Sequence, residues 1–432
     1  MIAQVLAIIL ARPLIVSGFF LDYITGNLQY TNAEGWFRYY VCLTNTRVLP
    51  GKAVHAVRAS LILNRYLKTF LMILISLAVS LLIAEGLSRI VFDPIDFLKP
   101  RRVPDDVLRY RIEPATGAHD ELGFRNKSVP DTAEVVAIGD SHTYGISARA
   151  SESWPGALGS MTGMTVYNLS LGGYGPAEYL YLMETEALAF HPEIIIAGFY
   201  LGNDIKDSFT AVYSVDRWKD MRKPELESYQ GSGESDDEEG ASYGIGDWLA
   251  GNSVLYRLVS SSFIGDNLRQ ARRLGRGEQI VMLEDVASGI RTGFTPDQRL
   301  KGLDLASPHI REGLRLSLEF FSRMNEIARK NDIEFIVVII PTKESVFAEY
   351  IEGNKALPAS DKIDYLIENE RHADREVRKY FDDHGIRYVD SLPPLSRNAS
   401  AEQIYPNNFG GHENKNGYRI IAESIKNYLD GL

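Results

Sequence analysis

Apolar positions are distributed very unevenly along this chain. Residues 69–84 read TFLMILISLAVSLLIA, apolar or small without a break. Extending the run to Phe92 gives about 24 residues, or about 36 Å of helix at ~1.5 Å per residue. A hydrocarbon core is about 30 Å thick. The pattern therefore predicts a transmembrane helix over residues 69–92, with Glu85 and Arg89 near one interface where they reach water. The first 20 residues are apolar too, but Arg12 and Pro13 interrupt them. The rest of residues 1–68 carries no pattern that converts into a function.

Beyond residue 93 the pattern changes. Five prolines, Pro94, Pro100, Pro104, Pro114 and Pro130, punctuate residues 93–130, which read as a linker merging into a domain. Short β-rich runs then alternate with helical periodicity. Strands are expected at 135–139, 165–168, 193–200, 333–340 and 386–390. Several are continuously apolar, as strands covered on both faces of a parallel sheet must be. Helices are expected at 176–188, with Pro176 near its start, and at 314–330, with Leu314, Leu318, Phe321 and Ile327 on one face. Tyr418, Ile421, Ile425 and Leu429 form a similar stripe on a final helix.

Repeated β-α order with right-handed crossovers predicts an α/β fold: a three-layer, doubly wound parallel sheet of about five strands. Ligands of such sheets bind at the carboxyl ends of the strands. The domain is expected over residues 131–432, with an insertion at about 205–311 between the third and fourth strands. Within it, residues 231–240 contain no apolar side chain and read as a solvated loop; they lack the spaced ligands of a calcium loop.

Charge adds a direction and removes some partners. Residues 36–68 contain Arg38, Arg47, Lys52, Arg58, Arg65 and Lys68 and no acidic residue, whereas basic and acidic residues mix after the apolar run. The positive-inside bias keeps the N-terminus cytoplasmic and sends the domain across the membrane, to the periplasm or the cell exterior. A cleaved signal peptide has a comparable apolar length, but the long leader favours an anchor. A formal net charge of -11 argues against nucleic acid. Cys42, the single cysteine, rules out an intramolecular disulfide and any cysteine-rich metal site.

Candidate chemistry collects at the expected strand ends. After the first strand comes Gly139-Asp140-Ser141-His142-Thr143-Tyr144-Gly145. A serine hydroxyl needs a neighbouring base and N–H donors where an oxyanion forms. A helix starting just beyond Ser141 would aim its N–H groups there. Asn168 and the turn Gly173-Tyr174-Gly175 follow the second strand, and Gly202-Asn203-Asp204 ends the third. An asparagine there can donate its amide to an oxyanion or make an ordinary Asx turn. His412, one of eight histidines, precedes the final helix within His412-Glu413-Asn414-Lys415-Asn416-Gly417, where a neutral imidazole could act as base. His142 adjoins the serine in sequence, a position that rarely has the geometry of a base.

These blocks, in this order, resemble the SGNH (GDSL-type) hydrolase family over about residues 120–432. The resemblance implies a flavodoxin-like sheet, with Ser141 as nucleophile and His412 as base. It implies an oxyanion hole from the Ser141 and Gly173 amides and the Asn203 side chain. It also implies acyl-ester substrates and no metal or organic cofactor. The chain departs from the family in one respect. An aspartate is usual two or three residues before the histidine, where this chain has Gly410 and Phe409. Asn407, Asn408 and Glu413 are near, but none is a clean replacement. A backbone carbonyl orienting a Ser-His dyad, or Asp390 at the end of the last strand, are the candidates for that role. Residues Ile339-Ile340-Pro341-Thr342-Lys343 add a looser similarity to the alginate O-acetyltransferase-like branch.

Three functions follow as expectations: an extracytoplasmic ester hydrolase acting on acylated glycans or lipids, an O-acetyltransferase modifying an exported polysaccharide, and a degenerate, membrane-tethered glycan-binding protein.

Overall fold

The structure is a computed structural model that describes residues 51–229, 244–260, 281–285, 287–353 and 360–431, with side chains from residue 63. Cys42, the first 50 residues and the acidic tract 231–240 lie outside the described residues. The described chain forms two compact units, one ending at Phe92 and one from Asp93 to the C-terminus.

In the first unit a helix runs over Gly51–Val91. Its stretch Leu63–Val91, 29 residues with mean hydropathy 2.4, is long and apolar enough to cross a membrane. Leu71, Ile73, Leu74, Leu82 and Ile83 are all exposed, so apolar side chains point outward around the helix. The Arg89 guanidinium pairs with Glu85 one turn earlier at 2.7 Å, the spacing at which helical side chains meet.

In the second unit the residues that read as a linker are built into the domain. They form a hairpin of β1 (Arg102–Asp105) and β2 (Arg109–Ile112), and Leu108, Ile112 and Phe124 enter the main core. Prolines alone misled here, because buried apolar residues between them anchor the segment.

The central sheet contains β3 (Val135–Gly139), β4 (Val166–Ser170), β5 (Ile194–Tyr200), β8 (Glu334–Ile340) and β9 (Arg387–Asp390). All neighbours are parallel, in the order β4-β3-β5-β8-β9. Counting these five strands in chain order, that is 2-1-3-4-5, the flavodoxin-like order. The expected α/β fold is therefore present, with strand bounds shifted by at most two residues. Alternation sorts the strand residues by face. Val136, Ile138, Ile195, Ala197 and Val337 join the core containing helices Pro176–Thr185 and Pro308–Lys330. Val135, Ala137, Ile196, Ile336 and Val338 join the core containing Trp154–Thr162 and Lys415–Leu429.

The segment between β5 and β8 is not wholly an appendage. Its first helix, Asp204–Ser214, buries Ile205, Phe209 and Val212 in the main core. Helix Pro308–Lys330 starts six residues before the expected 314, with proline at its first turn. Between them lies an antiparallel hairpin of β6 (Val281–Asp285) and β7 (Ile290–Phe294), which sequence periodicity did not reveal.

Candidate active site

The site is assembled at the carboxyl edge of β3, β4 and β5. The chain leaves β3 at Gly139, and Asp140 caps a single helical turn, Ser141–Tyr144, by accepting from the His142 amide at 2.8 Å. Gly145, at φ 86°, closes that turn in the left-handed region. Thr143 wedges between strands: a Cβ on either Gly139 or Gly198 would collide with it. Ser141 is thereby held at the start of the turn, nearly buried.

His412 arrives from the other end of the chain. Its Nε2 lies 2.8 Å from the Ser141 Oγ. The loop that carries it is set by Asn414, which caps the last helix through the Asn416 and Gly417 amides. The Asn414 amide also donates to the Gln403 and Tyr405 carbonyls at 2.6 and 3.2 Å. That accounts physically for the spacing of His412, Asn414 and Gly417. Burial, followed by the neighbouring His142, Arg299 and Lys343, holds the His412 pKa well below the usual imidazole value.

The turn after β4 approaches Ser141 closely: a Cβ placed on Gly172 would lie 3.4 Å from the serine Cβ. Gly173 adopts φ 83°, which an L side chain takes only at a cost. Its amide has no hydrogen-bond acceptor among the described residues. Two side chains of β2 strap this turn. The Tyr110 hydroxyl donates to the Gly172 carbonyl, and the Arg109 guanidinium donates to the Gly173 carbonyl. Arg109 is in turn fixed by buried Glu178 at 2.7 Å. Nothing in the sequence marked these two residues, because they lie in the segment that reads as a linker. Asn168 serves the scaffold, its amide donating to the Thr143 carbonyl at 3.1 Å.

Asn203, beyond the end of β5, precedes helix Asp204–Ser214. Its side-chain amide donates to Asp207 at 2.8 Å, and its side-chain oxygen is buried with no partner among the described residues. Burial raises the Asp207 pKa to about 7, against the opposing charges of Lys206 and Arg109. Asp140 is also raised, by burial above all.

Asp390 does not join this group. Its carboxylate pairs with Arg378 at 2.9 Å and accepts from the Leu392 amide at 3.0 Å. It borders a cavity of about 420 Å³ shared with Ile339, Pro341, Glu370 and Arg397, which neither Ser141 nor His412 lines. The reason is the Arg378 guanidinium, which sits in the adjacent long helix and takes the carboxylate first. At the position two before His412 the backbone carbonyl of Gly410 accepts from a lysine instead. Lys343, fully buried, donates to the Gly410 carbonyl at 2.8 Å and to Thr292 Oγ1 at 3.1 Å. Burial pulls its pKa down to about 7.

The two neighbours in sequence of the pair form a second pair. His142 Nδ1 donates to the Glu413 carboxylate at 2.7 Å, and both side chains are fully buried. Glu413 also accepts from the Tyr405 hydroxyl at 3.2 Å. Among the described residues, no group of three or more His, Cys, Asp or Glu side chains is placed to hold a metal ion.

No family model matches this sequence, and no curated protein matches it. Solved structures do. An extracellular lipase from Streptomyces rimosus is 13% identical, with 69% of this chain and 99% of that chain covered and a TM-score of 0.37. A member of the lipolytic protein G-D-S-L family from Veillonella parvula is 11% identical over 69% of this chain and 98% of that one, TM-score 0.33. A catalytic mutant of an acetylxylan esterase from Geobacillus stearothermophilus is 12% identical, covering 69% and 94%, TM-score 0.31. This chain is similar to GDSL-type lipolytic proteins and esterases.

Proposed function

We propose that this chain is a serine esterase of the SGNH type, carried outside the cytoplasm by its apolar N-terminal helix. The observation that supports it most directly is the 2.8 Å contact between His412 Nε2 and Ser141 Oγ, made by residues from opposite ends of the domain. In this reading Ser141 Oγ attacks the acyl carbon while His412 Nε2 takes its proton. The carbonyl oxygen becomes an oxyanion facing the Ser141 and Gly173 amides and the Asn203 side chain. Collapse breaks the ester bond, and the departing alkoxide takes the proton back from His412. Water then attacks the acyl-enzyme, its proton passing to His412, and release of the carboxylic acid restores the serine hydroxyl. The proton that leaves with the alcohol is replaced by one from water, so Ser141 and His412 return to their starting states and no cofactor is needed to balance the cycle.

The placement outside the cytoplasm rests on the basic residues before the apolar helix and the mixed charges after it. Acylated glycans or lipids of the cell envelope are the substrates within reach of such an enzyme. The experiment is hydrolysis of an activated acetate ester by the full-length protein in detergent. Ser141→Ala and His412→Ala should each lower kcat by about 10⁴-fold or more. Ser141 should also be the residue that a serine-directed phosphonate labels. Wild-type turnover in either variant would refute the assignment.

A further inference from the structure

The catalytic imidazole proposed above has an unusual surrounding: no carboxylate reaches it among the described residues. Among the described residues its ring hydrogen-bonds to Ser141 alone. The cations Arg299 and Lys343 act on it electrostatically. An imidazole held through a single nitrogen can swing about that bond, and rate is sensitive to such swings, with a displacement of about 1 Å costing on the order of 10²-fold. Something must fix the plane of this ring.

The ring of His142 lies against it, with centroids 4.5 Å apart and planes inclined by 36°. His142 also stacks on Tyr200, at 3.6 Å and 25°. Its Nδ1 donates to buried Glu413, which the Tyr405 hydroxyl also holds. The His142 amide is fixed by the Asp140 carboxylate. His142 therefore has its backbone, its ring nitrogen and its ring all constrained, and that ring packs against His412. The chain thus pairs two dipeptides crosswise: Ser141 with His412, and His142 with Glu413.

We propose that the His142–Glu413 pair is the positioning unit for the catalytic imidazole, holding its plane by tilted ring packing where a hydrogen-bonded aspartate would otherwise orient it. The proposal rests on His412 acting as the base toward Ser141. Glu413 and His142 touch neither substrate nor reacting atoms; they act through His412. Their burial is what makes the stack rigid, since Tyr200, Tyr405 and Glu413 are packed without solvent access.

The test uses the full-length protein in detergent, with kcat and KM measured separately on an activated acetate ester. His142→Ala removes the ring, and Glu413→Ala frees it. Each should lower kcat about 10- to 100-fold with KM within about twofold, since substrate contacts are untouched. Replacing the pair by an apolar pair that keeps a ring, His142→Phe with Glu413→Leu, should restore kcat to within about fivefold of wild type. Exchange of a buried ionic pair for apolar residues of similar volume is commonly well tolerated, so this double variant decides the matter if a single variant fails to fold. Wild-type kcat in His142→Ala, or a folded double variant as slow as Glu413→Ala, would overturn the positioning role. Ser141→Ala is the control: activity surviving there sinks the esterase reading itself, whereas its loss alongside a fully active His142→Ala sinks only the inference drawn here.

Discussion

The side-chain amide of Asn203 donates to the Asp207 carboxylate at 2.8 Å, one helical turn further along the chain. An asparagine amide carries two hydrogens, so one can hold Asp207 while the other is left for a ligand oxygen. In the proposed reading, that arrangement preorganises an oxyanion donor before any substrate arrives. We predict that Asn203→Ala lowers kcat by about 10²- to 10³-fold with little change in KM, as loss of one oxyanion donor does. Steady-state kinetics on an acetate ester checks this, and a change confined to KM would contradict it.

The pH profile should carry the mark of the buried base. His412 must be neutral to accept the serine proton, and burial together with His142, Arg299 and Lys343 depresses its pKa. Activity should therefore persist as pH falls through 6.5, the ordinary imidazole value, and be lost only below it. Lys343→Met removes one of the depressing charges, so the acid limb of kcat/KM should move to higher pH. An acid limb already at 6.5 or above in the wild type would be inconsistent with this environment.

His119 provides a stability prediction away from the reacting atoms. Its Nδ1 donates to the Gly117 carbonyl, leaving Nε2 to accept from the Tyr144 hydroxyl at 2.8 Å. Burial, helped by the charge of Arg125, lowers its pKa to about 4. The unfolded chain protonates this group near 6.5 and the folded chain only near 4, so the unfolded state binds more protons in between. The group's contribution is complete above about 6.5 and declines as pH falls toward 4, by up to about 3 kcal/mol. Urea unfolding midpoints at several pH values should show a shallower acid decline in His119→Gln than in the wild type.

Asp390 should prove irrelevant to rate. Its carboxylate belongs to Arg378, so Asp390→Asn should leave kcat within about threefold while lowering stability by about 1 kcal/mol or less, as expected for a partly exposed ion pair. Thermal melts and ester kinetics on the same preparation check both halves. A large loss of kcat at unchanged stability would return Asp390 to the catalytic set.

Strand and helix identities were legible in the sequence because they depend on local periodicity. The runs at Val135–Gly139 and Ile194–Tyr200 are apolar on both faces, and only a strand buried in a covered parallel sheet accommodates that. The Ser141, Gly173, Asn203 and His412 blocks were legible for a related reason: turns, caps and strand ends demand particular residues at fixed short spacings. The hairpin of β1 and β2 was not, because its two strands are only four residues each and proline-rich surroundings masked them.

The sequence by itself determined the doubly wound sheet, the apolar helix ahead of it, and the strand ends where chemistry collects, all consequences of short-range pattern. Only the tertiary structure decided the partners. It brought Ser141 and His412 together and gave Asp390 to Arg378. It used Arg109 and Tyr110 to strap the Gly173 turn, and it set His142 and Glu413 against the proposed base. Those pairings join residues from about a dozen to nearly 300 positions apart, and no short-range spacing encodes them. They follow from which side chains the packed sheet edges leave within hydrogen-bond reach, where a buried polar group must find a partner or remain costly.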